Sequence, residues 1–154
     1  MKASIFRIGM NCHPLYFCTG GHVESISEDW KKTVLSLPLN WRTKNYVGTI
    51  FGGSLFSASD PFYMIMFIQI LGPEYVVWDK AANIKFKRPG KGTVKATLEI
   101  TDAEIALAKE KAQAAGEFEF QKTLQWLDAG GKVVSEIERT IYVATKEFYK
   151  NKRK

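Results

Sequence analysis

The sequence has few residues of the types that bind metals or form disulfides. It contains two cysteines and two histidines, all near the N-terminus. So few cysteines argue against a disulfide-stapled scaffold and favour reduced thiols in a cytoplasmic protein. Cys12, His13, Cys18 and His22 would supply enough zinc ligands, but their spacing fits no common zinc pattern. The sequence therefore predicts no metal site.

Several catalytic motifs are absent as well. The chain has no Walker-type phosphate loop, no GxGxxG, no GxSxG and no HExxH. These absences argue against the common nucleotide-binding folds, the α/β-hydrolases and the zinc proteases. A histidine-dependent triad would have to use His13 or His22, and both lie in a weakly patterned region. We therefore expect no nucleotide or metal cofactor.

Positive charge is concentrated at one end of the chain. The formal net charge is +6, and residues 146–154 contribute five basic residues and one acidic residue to it. We interpret this basic tail as a solvated terminus, and we expect neither a nucleic acid nor a membrane as its partner. The length and composition predict a single soluble domain over residues 1–154.

The sequence also lacks an uninterrupted apolar run of membrane-spanning length. Its longest apolar stretch, residues 46–71, contains a glycine pair, Asp60 and Pro61. A membrane span that is polar in its middle is costly, so a core helix is the better interpretation. Arg7 interrupts the apolar residues at the start of the chain, and we predict no signal peptide there.

Alternating apolar and polar residues predict an antiparallel sheet of about six strands. The predicted strands cover residues 22–26, 32–37, 75–88, 94–100, 118–126 and 133–143. A capping box at Thr101 and Glu104 begins an alanine-rich helix that ends at Gly116. The first eighteen residues have no clean period and are predicted to form a loop or a short helix.

A second, very apolar helix follows the glycine pair. It is predicted to begin at Ser54 and to end at Gly72 and Pro73. Residues 61–71 are apolar on nearly every side, so the rest of the protein should surround this helix. One face of the sheet needs a cover, and this helix fits that need. The predicted fold class is α+β, with a curved antiparallel sheet wrapped round one long helix.

The entrance to this helix holds the strongest candidate site. Asn45 precedes the pair Gly52 and Gly53, and Asp60 follows. Glycine has no Cβ, so a substrate can approach its backbone. Free N–H groups in the first turn stabilise negative charge, such as the oxyanion formed from an attacked thioester. Asp60 would then act as a base toward water or as a nucleophile.

Asp60 and Pro61 also have a simpler structural interpretation. An aspartate followed by a proline is typical of a helix N-cap and the first helical position. The helix would then begin at Pro61, and the glycine pair would form a tight turn. The spacing alone leaves both interpretations open.

A group of basic residues lies near the end of a predicted strand. Lys85, Lys87 and Arg88 precede a turn that contains Lys91. These side chains are candidates to bind phosphate groups. Alternatively, Lys85 and Lys87 form the solvent face of an amphipathic strand. The sequence does not decide between the two.

Residues 45–60, the apolar helix and residues 84–89 resemble the hotdog-fold acyl-CoA thioesterases, and most closely an uncharacterised bacterial branch of them. The resemblance extends over about residues 20–145. Members of this family carry an asparagine, a glycine pair and an acidic residue at a spacing that Asn45, Gly52 and Asp60 match.

The resemblance implies a homodimer or a dimer of dimers with sites shared between subunits. It implies that Gly53 donates its N–H to the oxyanion, that Asp60 activates water and that Asn45 positions substrate or water. Gly52 and Phe51 would contact the substrate. Coenzyme A would enter as part of the substrate, with no separate cofactor.

The sequence departs from the family at Phe51, where the family usually has histidine. This change removes a polar group from the expected pocket. Asp79 corresponds to a polar partner on the neighbouring strand in some members. The leading hypothesis is an acyl-CoA thioesterase, and the alternative, which Phe51 favours, is a non-catalytic acyl-binding protein. A hotdog dehydratase ranks last because it needs a catalytic histidine near the motif.

Overall fold

The computed structural model describes residues 1–152, which form a six-stranded antiparallel sheet with helices on it. The strands are β1 (His22–Ile26), β2 (Lys32–Leu37), β3 (Tyr75–Phe86), β4 (Val94–Glu99), β5 (Glu117–Leu127) and β6 (Val133–Thr145). Their order in the sheet is β1-β2-β4-β5-β6-β3, and every neighbouring pair is antiparallel. The predicted sheet is therefore confirmed, strand by strand.

The helices are α1 (Ala3–Cys12), α2 (Pro14–Thr19), α3 (Gly52–Ser57), α4 (Phe62–Leu71), α5 (Asp102–Ala115) and α6 (Lys146–Lys152). The capping box predicted for α5 is present, with the Glu104 N–H donating to Thr101 Oγ1 and the Thr101 N–H donating to the Glu104 side chain. Gly116 follows α5 at a φ of +84°, a backbone conformation that favours glycine. The unpatterned N-terminal segment forms two helices, α1 and α2.

The hydrophobic core lies between one face of the sheet and the pair α3–α4. The side chain of Trp126 on β5 is fully buried and donates its indole N–H to Leu55 O at 2.8 Å, which fixes α3 to the sheet. On α4 the buried residues are Phe62, Tyr63, Met66, Phe67 and Leu71. The opposite side of α4 is only partly covered, since Ile68 is 37% exposed while Met64 and Ile70 pack against the core. The protein therefore surrounds most of this helix, as expected, but leaves Ile68 at the surface.

The long helix predicted from Ser54 to Leu71 is interrupted at residues 58–61. Pro61 has no N–H, so it cannot donate to Ser57 O as a helical residue would. The Asp60 N–H donates to that oxygen instead, at 3.1 Å, and α4 begins at Phe62. By length and composition Gly52–Leu71 would suffice to cross a membrane, but its inner face is packed in the core. Asp60 therefore lies in a link between two core helices.

Most of the basic tail is structured, although none of residues 146–152 is buried, so its side chains are solvated as the sequence indicated. Residues 146–152 form α6, and the Lys146 N–H donates to Glu74 O at 2.8 Å. Lys152 forms an ion pair with Glu117 at 2.6 Å. The ring of Phe148 packs where a side chain on Gly116 would lie. Arg153 and Lys154 lie outside the described residues.

Candidate active site

Asp60 lies in the link between α3 and α4 with its side chain 45% exposed. Its Oδ2 is 3.7 Å from Nη1 of Arg139. The N-cap position of α4 belongs to Pro61, and no side chain caps that helix. The structure therefore does not support the helix-cap interpretation of Asp60.

Arg139 on β6 is the centre of a buried polar cluster. Only 1% of its surface is exposed. Its guanidinium lies 3.3 Å from Asp79 on β3 and donates to Ser59 Oγ at 3.1 Å and to Phe56 O at 3.4 Å. Because buried charges require partners, this one cation holds the Asp60 link against two strands.

The carboxyl group of Asp79 sits in an unusual electrostatic environment. Burial raises the pKa of Asp79 above its ordinary value, and the nearby Asp60 raises it further, whereas Arg139 opposes the shift. Within residues 1–152, Asp79 Oδ1 and Arg139 Nε are buried without a hydrogen-bond partner. Unpaired buried polar atoms are uncommon in proteins, and perturbed carboxyl groups concentrate at functional sites.

Arg139 was not among the residues selected from the sequence, although a signal for it existed. The inward face of β6 includes Ile137 and Ile141, both fully buried, and Arg139 lies between them at the same alternation. An arginine at an inward position of a strand must find a buried partner. The pattern therefore indicated a buried ion pair but not its partners.

Asp60 borders an apolar cavity of about 480 Å³, which we name the Asp60 cavity. Its walls are Met10, His13, Leu15, Tyr16, Thr19, Ser57, Asp60, Pro61 and Ile65. More than half of these residues belong to the N-terminal segment 10–19, for which the sequence predicted no function. The helices α1 and α2 therefore complete the surroundings of the candidate catalytic group.

A second cavity of about 510 Å³, the Gly52 cavity, brings together several other predicted site residues. It is lined by Asn45, Thr49, Ile50, Gly52, Leu55, Phe86, Lys87, Arg88, Pro89 and Gly90. Lys87 and Arg88 are held there because both backbone N–H groups donate to Val134 O, at 2.8 and 3.1 Å. The Gly52 and Asp60 cavities share no lining residue.

Asn45 uses its side-chain amide to shape its own loop. Its Nδ2 donates to Thr49 Oγ1 at 2.9 Å, and its Oδ1 accepts the N–H groups of Val47 and Thr49 at 3.1 and 2.9 Å. This arrangement is typical of an asparagine that stabilises a turn. Asn45 therefore orders the loop that leads into α3 while it lines the Gly52 cavity.

The space beside the glycine pair is occupied by aromatic rings. A Cβ on Gly52 would lie 2.8 Å from the ring of Phe86, and one on Gly53 would overlap the ring of Phe51. The expectation that the missing Cβ atoms leave room for a substrate is therefore not met within one chain. The N–H groups of Gly52 and Gly53, in the first turn of α3, have no acceptor inside the helix.

Lys85 lies apart from the other basic residues. It is paired in register with Glu136 on β6 and borders a small crevice that also contains Glu138. It does not line the Gly52 cavity with Lys87 and Arg88. The position of Lys85 fits the solvent-face interpretation.

Cys12 and Cys18 are exposed free thiols. In the described part of the chain, no group of three or more His, Cys, Asp or Glu residues is arranged to hold a metal ion.

Similar proteins were found by family and by fold. A family model described as a domain of unknown function (DUF4442) matches residues 2–143. No curated protein matches the chain in sequence. The fold is similar to that of a Pseudomonas aeruginosa protein of unknown function described as a probable thioesterase, with 18% identity, a TM-score of 0.82 and coverage of 94% of this chain and 97% of that one.

Two further solved structures support the same fold. A protein of unknown function from Chlorobaculum tepidum has 16% identity, a TM-score of 0.74 and 94% coverage of both chains. A thioesterase from Haemophilus influenzae has 13% identity and a TM-score of 0.66, and the match covers 94% of this chain and 92% of that one. At these identities the likeness shows the fold alone, and it confirms the expected hotdog fold. The chain belongs to the DUF4442 family, a domain of unknown function, and has the fold of the hotdog thioesterases.

Proposed function

We propose that this protein hydrolyses an acyl-CoA-like thioester by attack of water. The position of Asp60 carries the proposal, because its carboxylate borders an apolar cavity and lies 3.7 Å from a buried arginine. Asp60 takes a proton from water as the water oxygen bonds to the thioester carbon. The carbon–sulfur bond then breaks, and the proton passes from Asp60 to the leaving thiolate. Direct attack by Asp60, followed by hydrolysis of the resulting anhydride, would use the same group.

The oxyanion formed in this reaction requires hydrogen-bond donors. The Gly53 N–H is our candidate, since the first turn of α3 leaves it without an intrahelical acceptor. Asp60 and Gly52 border different cavities of one chain, and Gly53 lines neither of the two. We therefore propose a homodimer in which Asp60 of one protomer faces the glycine pair of its partner, with Asn45 ordering the donor loop.

Coenzyme A carries phosphates, and Lys87 and Arg88 are the candidates to bind them at the Gly52 cavity. We expect Arg88→Gln to raise KM for an acyl-CoA about fivefold. KM for the same acyl group on N-acetylcysteamine, which lacks phosphates, should not change. Lys85→Gln is the matched control and should leave both KM values unchanged. An equal rise in KM for the two substrates of Arg88→Gln would contradict phosphate recognition.

The main test is release of free thiol from purified protein supplied with acyl-CoA esters of increasing chain length. Asp60→Asn should lower kcat by at least about a hundredfold, because it removes the base. Asp102→Asn is the control, since Asp102 at the start of α5 is 85% exposed and, within residues 1–152, forms an ion pair only with Lys31. Thiol release at the wild-type rate in Asp60→Asn would reject this mechanism.

One observation favours a non-catalytic acyl-binding protein as the second candidate. The Phe51 ring covers Gly53 at the position where the family usually carries a histidine. Calorimetric binding of an acyl-CoA without thiol release would support this candidate. In that case Phe51→His, which restores a polar side chain beside the glycine pair, should introduce measurable hydrolysis.

A further inference from the structure

We propose that α1 and α2 build a binding site in the Asp60 cavity for the aliphatic chain of an acyl derivative whose acyl end carries no charge. The inference deepens the proposed function and rests on it for the nature of the ligand's reactive end. The binding itself needs no hydrolysis, so the two proposals are open to separate tests.

The cavity has the volume and the surface of an aliphatic binding site. Its volume of about 480 Å³ lies in the range of small-molecule sites. Two polar side chains in its wall already have hydrogen-bond partners. The Ser57 hydroxyl donates to Gly53 O at 2.7 Å, and the Thr19 hydroxyl donates to Tyr16 O at 2.7 Å. The cavity therefore offers mainly apolar surface to a ligand, with Asp60 and His13 as its remaining polar walls.

The N-terminal helices are fixed firmly enough to form this site in advance. The buried Tyr16 on α2 donates its hydroxyl to Ala58 O at 3.2 Å, next to the Asp60 link. On α1 the Asn11 amide pairs with both backbone groups of Val23, at 2.8 and 3.0 Å. A cavity held by such contacts requires little ordering when a ligand enters, which favours binding.

The charges beside the cavity favour binding of an uncharged ligand over binding of a free acid. The cluster beside the cavity contains the carboxylates of Asp60 and Asp79 and one buried cation, Arg139. The excess of negative charge repels a carboxylate and tolerates a thioester, an ester or an alcohol. Hydrolysis converts an uncharged thioester into a carboxylate, so the same charge would assist release of the acid product.

The test measures displacement of the uncharged fluorophore N-phenyl-1-naphthylamine by straight-chain alcohols from hexanol to hexadecanol. Affinity should rise with chain length until the cavity is filled and should then level off. Decanol should displace the fluorophore better than decanoate does. Asp60→Asn should reduce this difference in affinity between decanol and decanoate, because it removes one of the two negative charges beside the cavity.

Two substitutions on α4 change the cavity in opposite directions. Ile65→Trp fills it and should weaken binding of the longest alcohols about tenfold, whereas Ile65→Ala enlarges it and should move the plateau to longer chains. Ile68→Trp is the matched control, because Ile68 lies on the same helix, is 37% exposed and does not line the cavity. Circular dichroism melting should show that all three variants are folded.

Several outcomes would overturn the inference. The first is a wild-type protein that binds no alcohol, and the second is an Ile68→Trp variant that loses as much affinity for alcohols as Ile65→Trp does. The third is a change of oligomeric state in Ile65→Trp, which would assign the cavity to a second copy of the chain. Length-dependent alcohol binding without thiol release would reject the proposed hydrolysis and leave this site standing. Thiol release with an unchanged chain-length preference in both Ile65 variants would reject this site alone.

Discussion

Arg139 occupies an inward position on β6 between two buried isoleucines, yet its guanidinium reaches three different elements of the fold. It pairs with Asp79 on β3, with Asp60 in the link and with the end of α3 through Phe56 O. A buried ion pair is not by itself a strong source of stability, but an isolated buried charge is costly. The cluster therefore determines where the Asp60 link lies.

This reasoning gives a stability prediction for single residues. Arg139→Met should lower the free energy of unfolding by about 3 kcal/mol, because it leaves the mostly buried Asp79 carboxylate without its cation. The double variant Arg139→Met with Asp79→Asn should recover part of this loss, since it removes both charges together. Urea unfolding of the two variants and the wild type measures the difference. A double variant less stable than Arg139→Met would show that the ion pair does not account for the loss.

The helices of this protein differ in how far residues close in sequence determine where each one begins and ends. The helix α5 has a complete capping box, and a glycine at a φ of +84° follows its last residue. The pair α3–α4 reads as one apolar helix in sequence, and Pro61 divides it because the proline cannot continue the hydrogen-bond ladder. The link between the two helices places the Asp60 side chain at the protein surface, where it is 45% exposed.

At the scale of the element, the cap of α5 can be tested separately. Thr101→Ala should lower the free energy of unfolding by about 1 kcal/mol, because the Glu104 N–H loses its acceptor. Thr101→Ser is the matched control, because it keeps the hydroxyl and should stay close to the wild type. Thermal or urea unfolding measures both, and equal stability of the alanine and serine variants would contradict the assigned role.

The whole molecule has features that point to a second copy. Among the described residues β3 pairs only with β6, so its other edge is free for pairing. Tyr46, Val47, Phe51 and Phe86, in or beside the segments that line the Gly52 cavity, are exposed apolar residues. Surfaces of this kind are typical of association sites. A shared site would explain why Asp60 and Gly52 of one chain line separate cavities.

Mixing two inactive variants tests the shared site. Asp60→Asn removes the base, and Gly53→Pro removes the oxyanion N–H in the first turn of α3, where the ring of Phe51 must shift to make room for the proline ring. A mixed dimer retains one site with both groups intact if they come from different protomers. Random exchange of subunits makes half of the dimers mixed, and each mixed dimer has one of its two sites intact. The mixture should then show about a quarter of wild-type thiol release. If the subunits exchange and the mixture still stays inactive, the Asp60 carboxylate and the Gly53 N–H of one site must come from the same chain.

The sequence was informative wherever the relevant physics is local. The alternation in Val94, Ala96 and Leu98 indicated a strand with one buried face, and all three are buried. The helix in the basic tail was not predicted, because its contacts, such as Phe148 against Gly116, join residues that are distant in sequence. The surroundings of Gly52 were missed for a related reason, since the ring of Phe86 comes from the distant strand β3, whereas Gly53 is covered by the nearby ring of Phe51.

The sequence by itself determined the strands, the capped helix α5 and the spacing of Asn45, Gly52 and Asp60, because hydrogen bonding and side-chain alternation act over a few residues. Only the tertiary structure decided that Asp60 faces Arg139 and a cavity built by α1 and α2, and that Lys85 stays apart from Lys87 and Arg88. An alternating pattern shows that a side chain is buried. The partner that it meets is set by how the sheet and helices pack, which no local pattern contains.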